Sequence, residues 1–179
     1  MLAVIRRSFA LINQSTLPLL FKSLVRPHLE YGNLVWGPFN RADQKAVERV
    51  QRRATRLVTS IRHLKYQSRL CLLNLPSLYY RRRRGDMIHV YQMLTGGVDV
   101  IATEMFTIHT GGPTRGHSLK LAKPHAASRV RQNSFAIRII NDWNGLPSAV
   151  VSSPSLNVFK SRLDAHWESF WYCIPDTDK

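Results

Sequence analysis

Residues 41–61 read RADQKAVERVQRRATRLVTSI, and this stretch decides the fold. At about 100° per residue, Val47, Val50, Ala54, Leu57, Val58 and Ile61 fall within one arc, and Lys45, Arg49, Arg52, Arg53 and Arg56 fall on the opposite arc. The spacing predicts one amphipathic helix over 41–61, opened by a cap at Asn40 with Asp43. Ordinary surface helices mix signs, because opposite charges at i,i+4 stabilise each other. Here only Asp43 and Glu48 dilute a stripe of cations. Repulsion along the stripe costs stability, so it reads either as a contact face for a polyanion or as a solvated face.

The flanking segments read as helices too. Residues 2–13 predict a short helix, and Thr16 can cap the next, with Leu17 and Pro18 in its first turn. That helix runs through Phe21, Leu24 and Val25 and is expected to break or kink at Pro27. Tyr31 to Pro38 reads as a loop with aromatic anchors. Helices follow over 65–73 and about 77–95. The latter carries Arg81-Arg82-Arg83-Arg84, whose four side chains must point in four directions on a helix. Tyr80, Met87, Tyr91 and Leu94 mark its buried face. Arg83 is therefore expected to be buried and paired, with Glu30 or Asp86, while Arg81, Arg82 and His89 face outward.

Gly96-Gly97 ends this half. Residues 96–132 are rich in Gly, Pro, Thr and His and predict a loop-rich connector with short strands at 105–109 and 117–121. Residues 133–144 are helical, with Phe135, Ile139, Ile140 and Trp143 on one face, and Gly145-Leu146-Pro147 stops them. A final helix over 155–171 turns Phe159, Leu163, Trp167 and Phe170 inward. The expected fold is mainly α, in three segments: a basic helical domain over 1–95, the connector over 96–132 and a helical pair over 133–175.

The charge follows these segments. The 179 residues carry a formal charge of +15, of which 1–95 hold +13 and 96–179 only +2. A field concentrated in one half points to a polyanionic partner, nucleic acid before a lipid surface. The two cysteines, Cys71 and Cys173, form neither a disulfide framework nor a zinc knuckle, and a reducing, intracellular setting fits them. No apolar run approaches the roughly 20 residues of a membrane span. The stretch before Glu30 has no acid and weakly mimics a mitochondrial presequence.

Catalytic chemistry leaves little trace. None of the 11 acids adjoins another, so the Asp-Asp pair that commonly marks a two-metal polymerase site is absent. No nucleophile elbow, phosphate-cradling loop or H-E-x-x-H occurs. His109, His117 and His125 recur every eight residues with Glu104 nearby, a weak hint of zinc. Trp36, Trp143, Trp167 and Trp171 could stack bases but sit at core-like spacing.

Four blocks, taken in order, carry a family resemblance: Phe21 to Tyr31 (FKSLVRPHLEY) with Val35-Trp36; Val47 to Thr55 (VERVQRRAT); Thr114 to Leu119 (TRGHSL); and Trp143 to Pro147 (WNGLP) running to Phe159-Lys160-Ser161-Arg162-Leu163. Together they resemble the region that follows the palm in LINE-type, non-LTR (jockey-like) retrotransposon reverse transcriptases, over nearly the whole chain. The resemblance implies a fragment of an RNA-directed DNA polymerase. Residues 16 to 95 would be the helical thumb that grips template–primer, and Met1 would be an internal methionine of a longer element. It also implies that the palm aspartates, and the Mg they hold, belong to an upstream palm domain, so that this chain has no catalytic residue and no cofactor of its own. The expected partners are an RNA–DNA hybrid or duplex DNA, and that palm domain; a nuclear location would follow. The expected contacts are Lys45, Arg49, Arg52, Arg53, Arg56, Arg81 and Arg82, all to phosphates, which position a protein without reading sequence. A protein-interaction fragment and a relic without function are the competing readings.

Overall fold

The computed structural model describes residues 1–98, 105–109 and 116–174. Among these the chain is mainly helical, and the only extended pairing is one antiparallel bridge, Ile108 to Leu121. The contacts divide the chain into two units, Met1–Arg82 with the segment from Ser169 onward, and Arg83–Glu168. This division falls at a different place from the sequence segments 1–95, 96–132 and 133–175.

The first unit begins with α1 (Leu2–Ser8) and α2 (Thr16–Leu20). Asn13, rather than Thr16, supplies the cap before α2: its Oδ1 accepts from the Thr16 N–H at 2.9 Å, while Thr16 Oγ1 accepts from the Asn13 N–H at 3.0 Å. The chain then passes without a break through a π turn, Phe21–Val25, into α3 (Arg26–Glu30). The chain does not break at Pro27, and the departure from regular α geometry there is the π turn just ahead of it. Proline lacks an N–H and crowds the carbonyl four residues back, and the wider π turn just ahead of it shifts the hydrogen-bond ladder to suit. The expected loop at 31–38 contains a single-turn helix, α4 (Asn33–Trp36), entered at Gly32 with φ +67°. Its aromatic residues are not anchors, since Tyr31 is 83% exposed and Trp36 45%.

Next come α5 (Arg41–Thr55), a 3-10 turn at Thr59–Ile61 and α6 (Tyr66–Leu72). Leu17, Phe21, Ala54, Val58, Ile61, Leu70 and Leu75 form the core between these elements. Each such large apolar side chain contributes about 1.5–3 kcal/mol on burial. Tyr172 and Ile174 of the C-terminal segment pack against the same cluster. Ser77 ties that segment down: its N–H donates to the Trp171 carbonyl at 2.9 Å and its hydroxyl donates to the Cys173 carbonyl at 2.6 Å.

The helix α7 (Leu78–Leu94) ends ahead of Gly96, whose φ of +71° is a backbone state open chiefly to glycine. The second unit then contains α8 (Arg129–Gln132), α9 (Phe135–Arg138), α10 (Ile140–Asn144), α11 (Ser148–Val151) and α12 (Leu156–His166), and a 3-10 turn at Glu168–Phe170 carries the chain on into the segment of the first unit. Trp143, fully buried, donates to the Leu119 carbonyl at 2.8 Å. Tyr91 stacks on Phe159 at 4.3 Å. The Asn144 side chain exchanges two 2.8 Å bonds with the backbone of Leu121, doing for it what a neighbouring strand would do. Phe159, Leu163 and Trp167 point inward as the period predicts, but Phe170 is 46% exposed, because the α-helix stops at His166.

Candidate nucleic-acid interface

Helix α5 is capped as the sequence suggests: Asn40 accepts from the Ala42 N–H at 3.2 Å. It stops at Thr55, not at 61. Thr55, Val58 and Thr59 are β-branched and resist helical geometry, and the Thr55 hydroxyl donates to the Arg52 carbonyl at 3.0 Å. The buried side is also rotated from the expected arc. It centres on Glu48, Gln51, Ala54 and Thr55, while Val47, Val50 and Leu57 are only half-buried.

Polar anchors cause that rotation. The buried Glu48 carboxylate accepts from the Tyr66 hydroxyl at 2.7 Å and from the N–H groups of Leu78 and Tyr79 at 3.4 and 3.3 Å, the first turn of α7. Burial pushes the Glu48 carboxyl up, while the Tyr66 bond, the nearby Arg82 charge and the two N–H groups pull it down. Burial, and next the Glu48 charge, raise the Tyr66 phenol. Gln51 donates to the Pro76 carbonyl at 3.0 Å, and Thr55 Oγ1 accepts from Arg69 at 3.0 Å. The helix is thus held by hydrogen bonds on one side, and its opposite side is left to arginine.

That opposite side is narrower than the sequence stripe. Arg49, Arg53 and Arg56 are exposed; Lys45 and Arg52 are half-buried. The Arg52 guanidinium lies 4.9 Å from the centre of the Tyr66 ring, a cation–π contact that draws it toward the core. What the sequence does not reveal is that Arg56 lines a concave cleft of about 620 Å³ with Arg6 and Arg62, over apolar Phe9, Leu11, Ile12 and Leu57. Arg6 lies 50 residues before Arg56, so no local period signals it. None of Arg6, Arg49, Arg53, Arg56 and Arg62 pairs with a carboxylate among the described residues. Five arginines of one unit that form no ion pair among the described residues, three of them around one cleft, could hold an extended polyanion through its phosphates.

The four-arginine run behaves otherwise, and the outward placement expected of Arg81 and Arg82 is corrected. Arg82 is buried beside Glu48. Arg81 is half-buried and forks onto Glu30, with its second bond at 2.8 Å. In the second unit, Arg83 takes Asp142, not Glu30 or Asp86, with Nε donating at 2.8 Å, and lies 5.3 Å from the Trp167 ring. Arg84 takes Asp164, and Asp86 is held by Arg138 at 2.9 and 3.0 Å. His89 is half-buried. Charge that is this fully committed inside the fold is unavailable to a ligand.

The other candidates disperse. His117 is buried with Nε2 3.0 Å from the Trp143 carbonyl, His109 and His125 are exposed, and Glu104 lies outside the described residues. No group of three potential metal ligands gathers among the described residues. Trp143 and Trp167 are core residues, Trp171 is half-buried, and Trp36 is exposed. No helix among the described residues is long and apolar enough to cross a membrane. Comparison with protein-family models, with curated proteins and with solved structures gives no match.

Proposed function

We propose that this chain is a nucleic-acid-binding segment, the thumb and downstream region of a LINE-type reverse transcriptase, that holds a template–primer duplex by its phosphates. The observation that carries the reading is the contrast among the arginines. Those of the run at 81–84 are buried or forked onto carboxylates, whereas Arg49, Arg53 and Arg56 stay exposed, and Arg6 and Arg62 share a cleft with Arg56. A fold that supplies acids to some of its arginines and leaves these without them reserves the latter for an external anion. The order of the four sequence blocks supports the family. The polymerase chemistry, with its Mg, belongs in this reading to the palm domain.

Filter binding of the full chain to duplex DNA and to an RNA–DNA hybrid across a salt series tests the proposal. The expected result is sequence-independent binding that weakens steeply with salt, as counterion release requires. Salt-insensitive binding, or none at low salt, would overturn it.

A second reading has its own observation. Leu19, Tyr31, Val35, Trp36 and Phe39 are exposed apolar residues within one stretch of chain, Val35 at 91%. Apolar surface of this kind suits a protein partner, such as a palm domain. Light scattering after size exclusion distinguishes the two: self-association abolished by Val35→Asp supports a protein contact, and a monomer at all concentrations counts against it.

A further inference from the structure

A second concavity lies wholly in the other unit. It is an open groove of about 690 Å³, within the size range of sites that hold small ligands, and is formed by Lys123 to Ala126, the end of α8 with Asn133, and α9 to Asn141. Its lining holds cations and amides. Lys123 and His125 stand exposed on the extended segment, and Lys123 Nζ is 3.5 Å from Asn141 Oδ1. No carboxylate among the described residues lines it, and the described aspartates of this unit are already committed: Asp86 to Arg138, Asp142 to Arg83 and Asp164 to Arg84.

The amides are oriented by their own hydrogen bonds. Gln132 Nε2 donates to the Ala126 carbonyl at 2.9 Å, and Asn133 Nδ2 donates to the Arg129 carbonyl at 2.7 Å. A carbonyl only accepts, so each amide must turn its nitrogen toward the backbone, which leaves each side-chain oxygen as a spare acceptor. Asn141 is set the other way: its oxygen faces the Lys123 ammonium and its NH₂ is the spare donor. One groove thus offers the Lys123 ammonium and the His125 ring for a phosphate, two acceptors and a donor for a base edge, and the apolar face of Pro124, beside Ile137, for the flat part of a base.

We propose that this groove binds a nucleotide unit, with phosphate at Lys123 and His125 and the base's exocyclic amine toward Gln132 and Asn133. The nucleotide is either free or part of a single strand, since a duplex stacks the flat faces of its bases on one another and pairs their Watson–Crick edges. This site is separate from the α5 surface and does not depend on it.

The test uses the full chain, ¹⁵N-labelled, titrated with adenosine monophosphate, with a single-stranded tetranucleotide and with inorganic phosphate. Amide shifts at 123–141 are expected with the first two, together with at least a fivefold loss of affinity in Lys123→Gln/His125→Gln. Asn133→Ala is expected to weaken adenosine monophosphate and leave any weak phosphate binding unchanged. A tetranucleotide that binds at least tenfold tighter than the mononucleotide identifies a strand; equal affinities identify a free nucleotide. The proposal is overturned if neither ligand moves these amides, if inorganic phosphate binds as tightly as the nucleotide, or if the double variant, with unchanged circular dichroism, binds as well as the parent.

Discussion

The Tyr66 hydroxyl donates to the buried carboxylate of Glu48 at 2.7 Å, and the same carboxylate receives the first N–H groups of α7. One acid on α5 therefore organises α6 and the start of α7, and the exposed arginines on the far side of α5 are positioned by what Glu48 holds. Replacing it with alanine leaves the Tyr66 hydroxyl and a helix start without their acceptor. At about 1–3 kcal/mol for each buried polar group left unsatisfied, Glu48→Ala is expected to lower the urea midpoint sharply. A change of a few tenths of a kcal/mol would show that water replaces the carboxylate.

The same residue sets a pH dependence. Burial raises the folded-state value of Glu48 above its ordinary range, so the folded chain binds its proton more tightly than the unfolded chain. The stability this contributes is full below the unfolded value, about 4.3, and is lost as pH rises through the raised folded value. Glu48→Gln cannot titrate. The stability of the parent relative to Glu48→Gln should therefore fall as pH is raised from 4 to 8 in denaturation series. A relative gain with rising pH would mean that Arg82 and the N–H groups outweigh burial.

The arginine–aspartate forks of the second unit differ in exposure, which ranks their replacements. The Asp86 side chain is 10% exposed, against 25% for Asp142 and 29% for Asp164. Removing one partner of a buried pair costs more than removing one of an exposed pair. Asp86→Ala is expected to lower stability by about 2–4 kcal/mol and Asp164→Ala by about 1 kcal/mol. Equal effects in thermal unfolding would contradict the ranking.

Ser77 holds the C-terminal segment through two backbone carbonyls and caps α7, with its Oγ accepting from the Tyr80 N–H at 3.1 Å. Ser77→Ala removes the hydroxyl bonds and keeps the N–H bond to Trp171. The expected cost is about 1 kcal/mol, with faster proteolysis near Phe170 to Tyr172. Unchanged cleavage would mean that Tyr172 and Ile174 hold the segment by packing alone.

These relationships explain what the sequence could and could not disclose. The helical class, the Asn40 cap and the inward faces of Phe159, Leu163 and Trp167 follow from local period and cap chemistry, and the structure has them. The end of α5 was hidden because Leu57, Val58 and Ile61 keep helical spacing while reaching the core through a turn. The arginine run misled because its partners are remote. Glu30 lies 51 residues from Arg81, Asp142 lies 59 from Arg83 and Asp164 lies 80 from Arg84. A wheel drawn on one helix assigns the side away from the apolar stripe to solvent, and it has no means of seeing acids brought there by other elements. Arg6 and Arg62 join Arg56 only in the folded unit, so no local period marks them.

The central claim is that Arg49, Arg53 and Arg56, and not the run at 81–84, bind the phosphates. The most direct measurement is the slope of log affinity against log salt for duplex DNA, in the parent and in Arg49→Gln/Arg53→Gln/Arg56→Gln. Each phosphate contact contributes about 0.9 to the slope on B-DNA, so the triple variant should flatten it by about 2.7, while Arg81→Gln leaves it unchanged. An unaltered slope in the folded triple variant, or a flatter one in Arg81→Gln, would contradict the account.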